Sequence, residues 1–182
     1  MKIVYQGKTK TGKEIIVRYS QKNDLIELLK FINELSKEKT FIRYQGEQET
    51  LDSETKYLNA KLEAIKTKEA VHLLVFYDNK LIAASDIHMM DKTEKHVGRL
   101  AISVLKDYRG EGIGKLLMEL LLKEAEKEIS DLKIVTLEVY SKNTIAKRVY
   151  ERFGFIEYGL LPNGISRDND FEDAILMYKN IK

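Results

Sequence analysis

Three glycines at alternate positions, Gly110, Gly112 and Gly114, stand in the run Arg109-Gly110-Glu111-Gly112-Ile113-Gly114. Glycine lets a backbone turn tightly and leaves its N–H groups unobstructed by side chains. Downstream, Ile113, Leu116, Leu117, Leu120 and Leu121 recur at helical spacing, so the run opens a helix whose first turn adds unpaired donors and a partial positive charge. Together these make a cradle for an anion, and a pyrophosphate suits it best. Upstream, residues 100–104 form a short apolar, partly β-branched run, the strand that delivers the loop. Spacing narrows the ligand. A Walker A loop requires Gly where this chain has Arg109, and Ser or Thr where it has Leu116. A dinucleotide fingerprint requires Gly where it has Lys115.

Other chemistry is bounded by what the sequence lacks. Zero cysteines exclude disulfides, thiol catalysis and Cys-ligated metals. The three histidines, at 72, 88 and 96, match no metal template, so no metal is expected. No Ser/His/Asp arrangement is visible, so no covalent enzyme intermediate is expected. Tyr150 falls on an apolar stripe with Ala146 and Phe153, where a packed core aromatic and a phenol acid are both open readings. The net charge of +2 is too small to imply a nucleic-acid partner, and 43% hydrophobic with 33% charged residues is an ordinary soluble balance. With no apolar stretch long enough to span a bilayer, a soluble cytoplasmic protein without a membrane partner is expected. One Pro in 182 residues, and no linker or repeat, lead to the expectation of a single domain over 1–182.

The elements that must position these residues follow from periodicity. Strands are predicted at 2–6 and 14–19, joined by a loop containing Gly7 and Gly12. Asp24 with Glu27 resembles a capping box for a helix carrying Leu25, Leu28, Leu29, Ile32 and Leu35. A second helix carries Leu51, Leu58, Leu62 and Ile65 on one face. Runs 71–77 and 81–89 read as an antiparallel hairpin, and a third strand covers 97–104. The Gly-rich loop and its helix run to about residue 130, followed by a buried strand at 134–140. Ser141 can cap a helix bearing Ala146, Val149, Tyr150 and Phe153, with Gly154 as its stop. Strands at 155–160 and 171–179 flank a loop holding Pro162 and Gly164. The order β, β, α, α, β, β, β, α, β, α, β, β is an α+β pattern, one sheet covered by helices.

Three stretches resemble one family. Residues 100–118 are similar to the cofactor segment of GNAT acetyltransferases: an apolar strand, an Arg-x-x-Gly-x-Gly loop, an amphipathic helix. Residues 137–155, with Asn143, Ala146, Tyr150 and Phe153-Gly154-Phe155, resemble the segment that follows there, and residues 171–177, with Asp173 and Met177, its closing strand. These motifs cover about the second half of the chain. The resemblance implies a GNAT-like mixed, mostly antiparallel central sheet covered by helices on both faces, acetyl-CoA as cofactor, and direct transfer of its acetyl group to a primary amine.

It also implies roles. The backbone of Ile102, Ser103 and Val104 would run along the pantetheine arm, an amide near Val104 serving as an oxyanion-hole donor. The N–H groups of Arg109, Gly110, Glu111, Gly112, Ile113 and Gly114 would hold the pyrophosphate, with the Arg109 side chain adding charge. Asn143 would bond the cofactor arm or begin its helix, beside Ala146. Tyr150 would protonate the departing thiolate. Where some relatives carry a Glu as base, this chain has Arg99, so His96, at the strand's entrance, and Glu138, on the neighbouring strand, are the candidates; an imidazole titrates at about 6.5 in model peptides. The acceptor is a small-molecule or peptide amine that these motifs do not identify. Loops 38–49, with Glu38, Glu47 and Glu49, and 161–170, with Asp168 and Asp170, favour a cationic small molecule. A homodimer is compatible with all of this. Alternatives are another acyl group, such as succinyl or propionyl, and a coenzyme A-binding sensor or assembly subunit without turnover.

Overall fold

The computed structural model describes residues 2–167 and 170–181. It is an α+β fold of eight strands, ordered β1-β2-β3-β4-β5-β6-β8-β7 and mostly antiparallel, with four α-helices among the described residues. None of these helices is long and apolar enough to cross a membrane. The chain divides into two compact units, Met1–His88 with Ala101–Ser130, and Met89–Leu100 with Asp131–Lys182.

In the first unit, β1 (Ile3–Lys8) and β2 (Glu14–Tyr19) form a hairpin, and β2 pairs antiparallel with β3 (Ala70–Tyr77), which pairs in turn with β4 (Lys80–Met89). Asp78 and Asn79 join β3 to β4 with φ of 47° and 61°, the conformation of a two-residue turn that matches strand twist. α1 (Leu25–Lys37) and α2 (Leu51–Lys66) cover this sheet through Leu28, Phe31, Leu35 and Leu58, which cluster with Leu74, Leu81 and Leu105. β3 is apolar from Val71 to Val75 without alternation apart from His72, because α3 (Ile113–Glu128) also packs on it with Ile113, Leu117, Met118 and Leu121 buried.

The expected α1 capping box is replaced by another arrangement. Asp24 accepts the Gln21 N–H at 2.7 Å and the Arg18 guanidinium at 2.6 and 2.8 Å, while Glu27 pairs with Lys30. An arginine on the adjacent strand outcompetes the local cap because a bidentate charged bond is the stronger. Of the predicted α2 face, Leu58 is buried, but Leu51, its first residue, is 51% exposed.

In the second unit, β5 (Val97–Val104), which continues into the first, runs parallel to β6 (Ile134–Tyr140) in the register Val97↔Ile134 and Arg99↔Thr136. β6 is antiparallel to β8 (Asp170–Asn180), and β8 to β7 (Ile156–Arg167). α4 (Thr144–Arg152) is capped by Asn143, whose side chain accepts the Ala146 N–H at 3.2 Å, in place of Ser141. The expected loop at 161–170 is largely strand: pairing resumes at Ile165↔Glu172, and Pro162, Asn163 and Gly164 sit at a register shift between Leu161 and Ile165. A bulge takes up residues that a ladder cannot, so turn chemistry here marks an irregularity within a hairpin.

His72, on β3, is 1% exposed and lies opposite Asp86, with the Tyr57 ring edge-on at 6.1 Å and no hydrogen-bond partner for Nδ1. Burial pushes its imidazole down to about 4, against partial opposition from Asp86. The unfolded chain therefore binds this proton from about pH 6.5 downward and the folded protein only near 4. Stability contributed by neutral His72 is expected to decline across that window, by on the order of 3 kcal/mol at its lower end. Thermal unfolding of His72→Gln should fall less steeply from pH 6.5 to 4 than wild type; an unchanged slope would reject this.

Candidate coenzyme site and catalytic residues

The Gly-rich loop belongs to the first unit. A short 3-10 turn, Lys106–Tyr108, leads out of β5, and α3 starts at Ile113. Gly110 and Gly112 have φ of +79° and +89°, a region that side-chain-bearing residues rarely adopt. A Cβ added to Gly110 or Gly114 would meet nothing within 4 Å, so the space over the backbone there is open. No side chain caps the start of α3; the Gly112 carbonyl already accepts the Leu116 N–H at 3.0 Å. Left-handed glycines, an uncapped helix start and open space fit a phosphate group.

The two charged residues of the loop are both engaged. Arg109 Nε donates to the Val104 carbonyl at 2.9 Å and its Nη2 pairs with Glu38, which also accepts the Lys106 N–H at 2.8 Å. The Arg109 side chain thus fastens the loop to the end of β5. Glu111 is 7% exposed. It pairs with Lys13 and accepts the Thr11 hydroxyl at 2.7 Å, and these two partners, Lys13 first, hold its carboxyl down to about 2. Ile102, Ser103 and Val104 are half-buried at the closing end of β5, and the Ile113 side chain is core, leaving only its N–H to the loop.

The remaining candidates lie in the second unit. Asn143 caps α4 through its side-chain oxygen and Ala146 is half-buried in the first turn. Tyr150 is 8% exposed, its ring edge-on to Phe155 at 6.1 Å, and burial pushes its phenol up to about 12. It therefore stays protonated, with a proton to donate. His96 is exposed just ahead of β5, its carbonyl accepting the N–H groups of Lys133 and Ile134 at 2.9 and 3.2 Å. Glu138 is exposed on β6, on the face opposite buried Val135, Leu137 and Val139.

The acids expected to favour a cationic acceptor are mostly occupied. Glu38 holds the loop, Glu47 accepts the Gln45 N–H, and Glu49 accepts the hydroxyls of Tyr44 and Ser53. Asp170 pairs with Lys142, and Asp168 lies outside the described residues. Lys10, Thr11 and Lys13, and the role of Glu38 as the partner of Arg109, have no signal in the sequence, because partners 71 and 98 residues away leave no local pattern.

The chain belongs to the GNAT acetyltransferase family, matching the Acetyltransferase (GNAT) family over residues 29–155. It is 31% identical over 140 residues to the ribosomal protein bS18-alanine N-acetyltransferase of Escherichia coli K12, which covers 77% of each chain. It is 37% identical over 90 residues to an uncharacterized N-acetyltransferase of Methanocaldococcus jannaschii, a match spanning 50% of this chain and 54% of that one. The crystal structure of a GNAT-family acetyltransferase from Streptococcus pneumoniae superposes with a TM-score of 0.84 at 27% identity, over 93% of this chain and 100% of that one. The yncA structure from Salmonella typhimurium, with its cofactor acetyl-CoA, shares the fold at a TM-score of 0.79 and 14% identity, over 92% and 94% of the two chains. The family match and the bS18-alanine relative make the protein an acetyltransferase of the GNAT class.

Proposed function

We propose that the protein is an N-acetyltransferase that moves the acetyl group of acetyl-CoA directly onto a primary amine, with a polypeptide amino terminus as the favoured acceptor. The observation that carries the reading is the Gly-rich loop at an uncapped helix start, with open space beyond Gly110 and Gly114. Acetyl-CoA supplies the acyl group already activated as a thioester. The loop N–H groups bind its phosphates. The backbone of Ile102, Ser103 and Val104 orients the arm, an amide near Val104 polarising the carbonyl. Tyr150 holds a proton at its phenol oxygen for the sulfur, and Glu138 or His96 accepts the proton that the ammonium must lose before attack.

The amino-terminal acceptor is supported by the relative that acts on the alanine of ribosomal protein bS18, and by the ion pair of Glu38 with Arg109, which takes that carboxylate from a small polycation. The test is purified protein with acetyl-CoA against a panel of peptides, including ones that begin with alanine, and polyamines. Free thiol and acetylated product are measured together. Acetylation of peptides above polyamines is expected. Polyamine preference would reject the acceptor, and coenzyme binding without product would replace the enzyme by a sensor.

Gly114→Val tests the cradle. Its Cβ meets no protein atom, and valine is no worse a helix former than glycine, so folding is retained while the side chain fills the phosphate space. Acetyl-CoA affinity by titration calorimetry should fall about ten-fold or more at unchanged melting temperature. Full affinity would remove the loop from the coenzyme site.

A further inference from the structure

Glu111 places a carboxylate within a loop built to receive an anion, where like charges repel. The structure answers that repulsion from another part of the chain. The β1–β2 turn brings Lys13 into an ion pair with Glu111 and the Thr11 hydroxyl onto its other oxygen at 2.7 Å. The Lys10 N–H donates to the Glu111 carbonyl at 3.3 Å, and the Lys10 stem lies over Gly112, its Cε 3.3 Å from where a Cβ would stand. The turn is itself shaped for this reach. Thr9 N–H donates to Lys13 at 2.9 Å, Gly12 N–H to Thr9 at 3.0 Å, and Gly12 has φ of +87°. The Lys13 ammonium also lies 5.9 Å from the centre of the Tyr108 ring, which leads into the loop.

We propose that the β1–β2 turn is a working part of the coenzyme loop: Lys13 is a positioning residue that cancels the Glu111 charge so that the loop accepts phosphate, and Lys10 lends a cation above Gly112. The inference rests on the coenzyme reading given above. Half-buried Lys13 neutralises a buried carboxylate, and removing one partner of such a pair leaves the other charge uncompensated. That charge would then face the incoming phosphates.

The experiment is a double-mutant cycle on coenzyme A binding, by titration calorimetry on the full chain, with melting temperature recorded for each variant. Lys13→Met should weaken binding about ten-fold or more. Glu111→Gln should bind at least as well as wild type, and the double variant should return to within about three-fold of wild type. A purely structural strap predicts that the second change does not rescue the first, and that outcome overturns the proposal, as does unaltered binding by Lys13→Met. Should Lys13→Met fail to fold, Glu111→Gln decides alone: at an unchanged melting temperature, a ten-fold loss of affinity refutes charge cancellation. Lys10→Met should reduce affinity and flatten its salt dependence, and no change in either removes Lys10 from the device. Wild-type protein that does not bind coenzyme A fails the coenzyme reading itself, whereas wild-type binding with an unresponsive cycle fails only the turn.

Discussion

Tyr150→Phe is expected to lower turnover on the order of 10² or more while leaving acetyl-CoA affinity and melting temperature close to wild type. The substitution removes one oxygen and keeps the ring, so the edge-on contact with Phe155 at 6.1 Å survives. With its phenol pushed up to about 12 by burial, Tyr150 carries its proton throughout the neutral range. A thiol of cysteine type titrates at about 8.5, so full proton transfer from this phenol to sulfur is uphill. The gain must come from a hydrogen bond that strengthens as negative charge builds on the departing sulfur, an interaction made in the transition state and absent from the ground state. Loss of such a bond lowers kcat and kcat/KM together. The rival account, a core aromatic 8% exposed, predicts that Phe is silent in both assays. Wild-type turnover in Tyr150→Phe, with chemistry shown to limit the rate, would assign Tyr150 to packing.

What could be read from the sequence is what local order encodes. β5 at Val97–Val104 and β6 at Ile134–Tyr140 fall where the β-branched runs place them, and α3 opens at Ile113 behind the glycines. A period of two or 3.6 and a left-handed glycine are visible within a few residues of chain. Pro162, Asn163 and Gly164 signal a turn whether it stands between strands or inside one as a bulge, and only the partner β8 decides. The same limit applies to side chains. Arg109 reads as a phosphate ligand, yet its guanidinium faces Glu38 and the Val104 carbonyl. For Glu111 the motif assigns only the backbone N–H, and the partners of its carboxylate lie in the β1–β2 turn. Charge pairing between distant segments depends on topology, which sets contacts that no window of sequence contains.

Removal of the general base carries the largest expected effect, and the register of β5 on β6 favours one of its two candidates. His96 stands one residue before the Val97↔Ile134 pair, and Glu138 two residues beyond Arg99↔Thr136. At a strand rise of about 3.3 Å per residue these positions are roughly 16 Å apart along the sheet, so one acceptor amine cannot use both. Glu138 lies further along β6 in the common direction of the two parallel strands, whereas His96 precedes the opening end of β5. Glu138 also projects from the face of β6 that is not packed into core. Glu138→Ala is therefore expected to lower turnover roughly 10² to 10⁴-fold and to flatten the ascending limb of the pH–rate profile, with His96→Ala near wild type. Glu138→Gln, which keeps size and polarity and loses only the ability to take a proton, should match Glu138→Ala in rate while binding acetyl-CoA normally. The pH profile separates the rivals independently of rate, since an imidazole and a carboxylate titrate about two units apart in model peptides. The reverse ranking would assign the base to His96. Two wild-type profiles would leave the ammonium proton to water, and the acceptor's own pKa would then set the ascending limb.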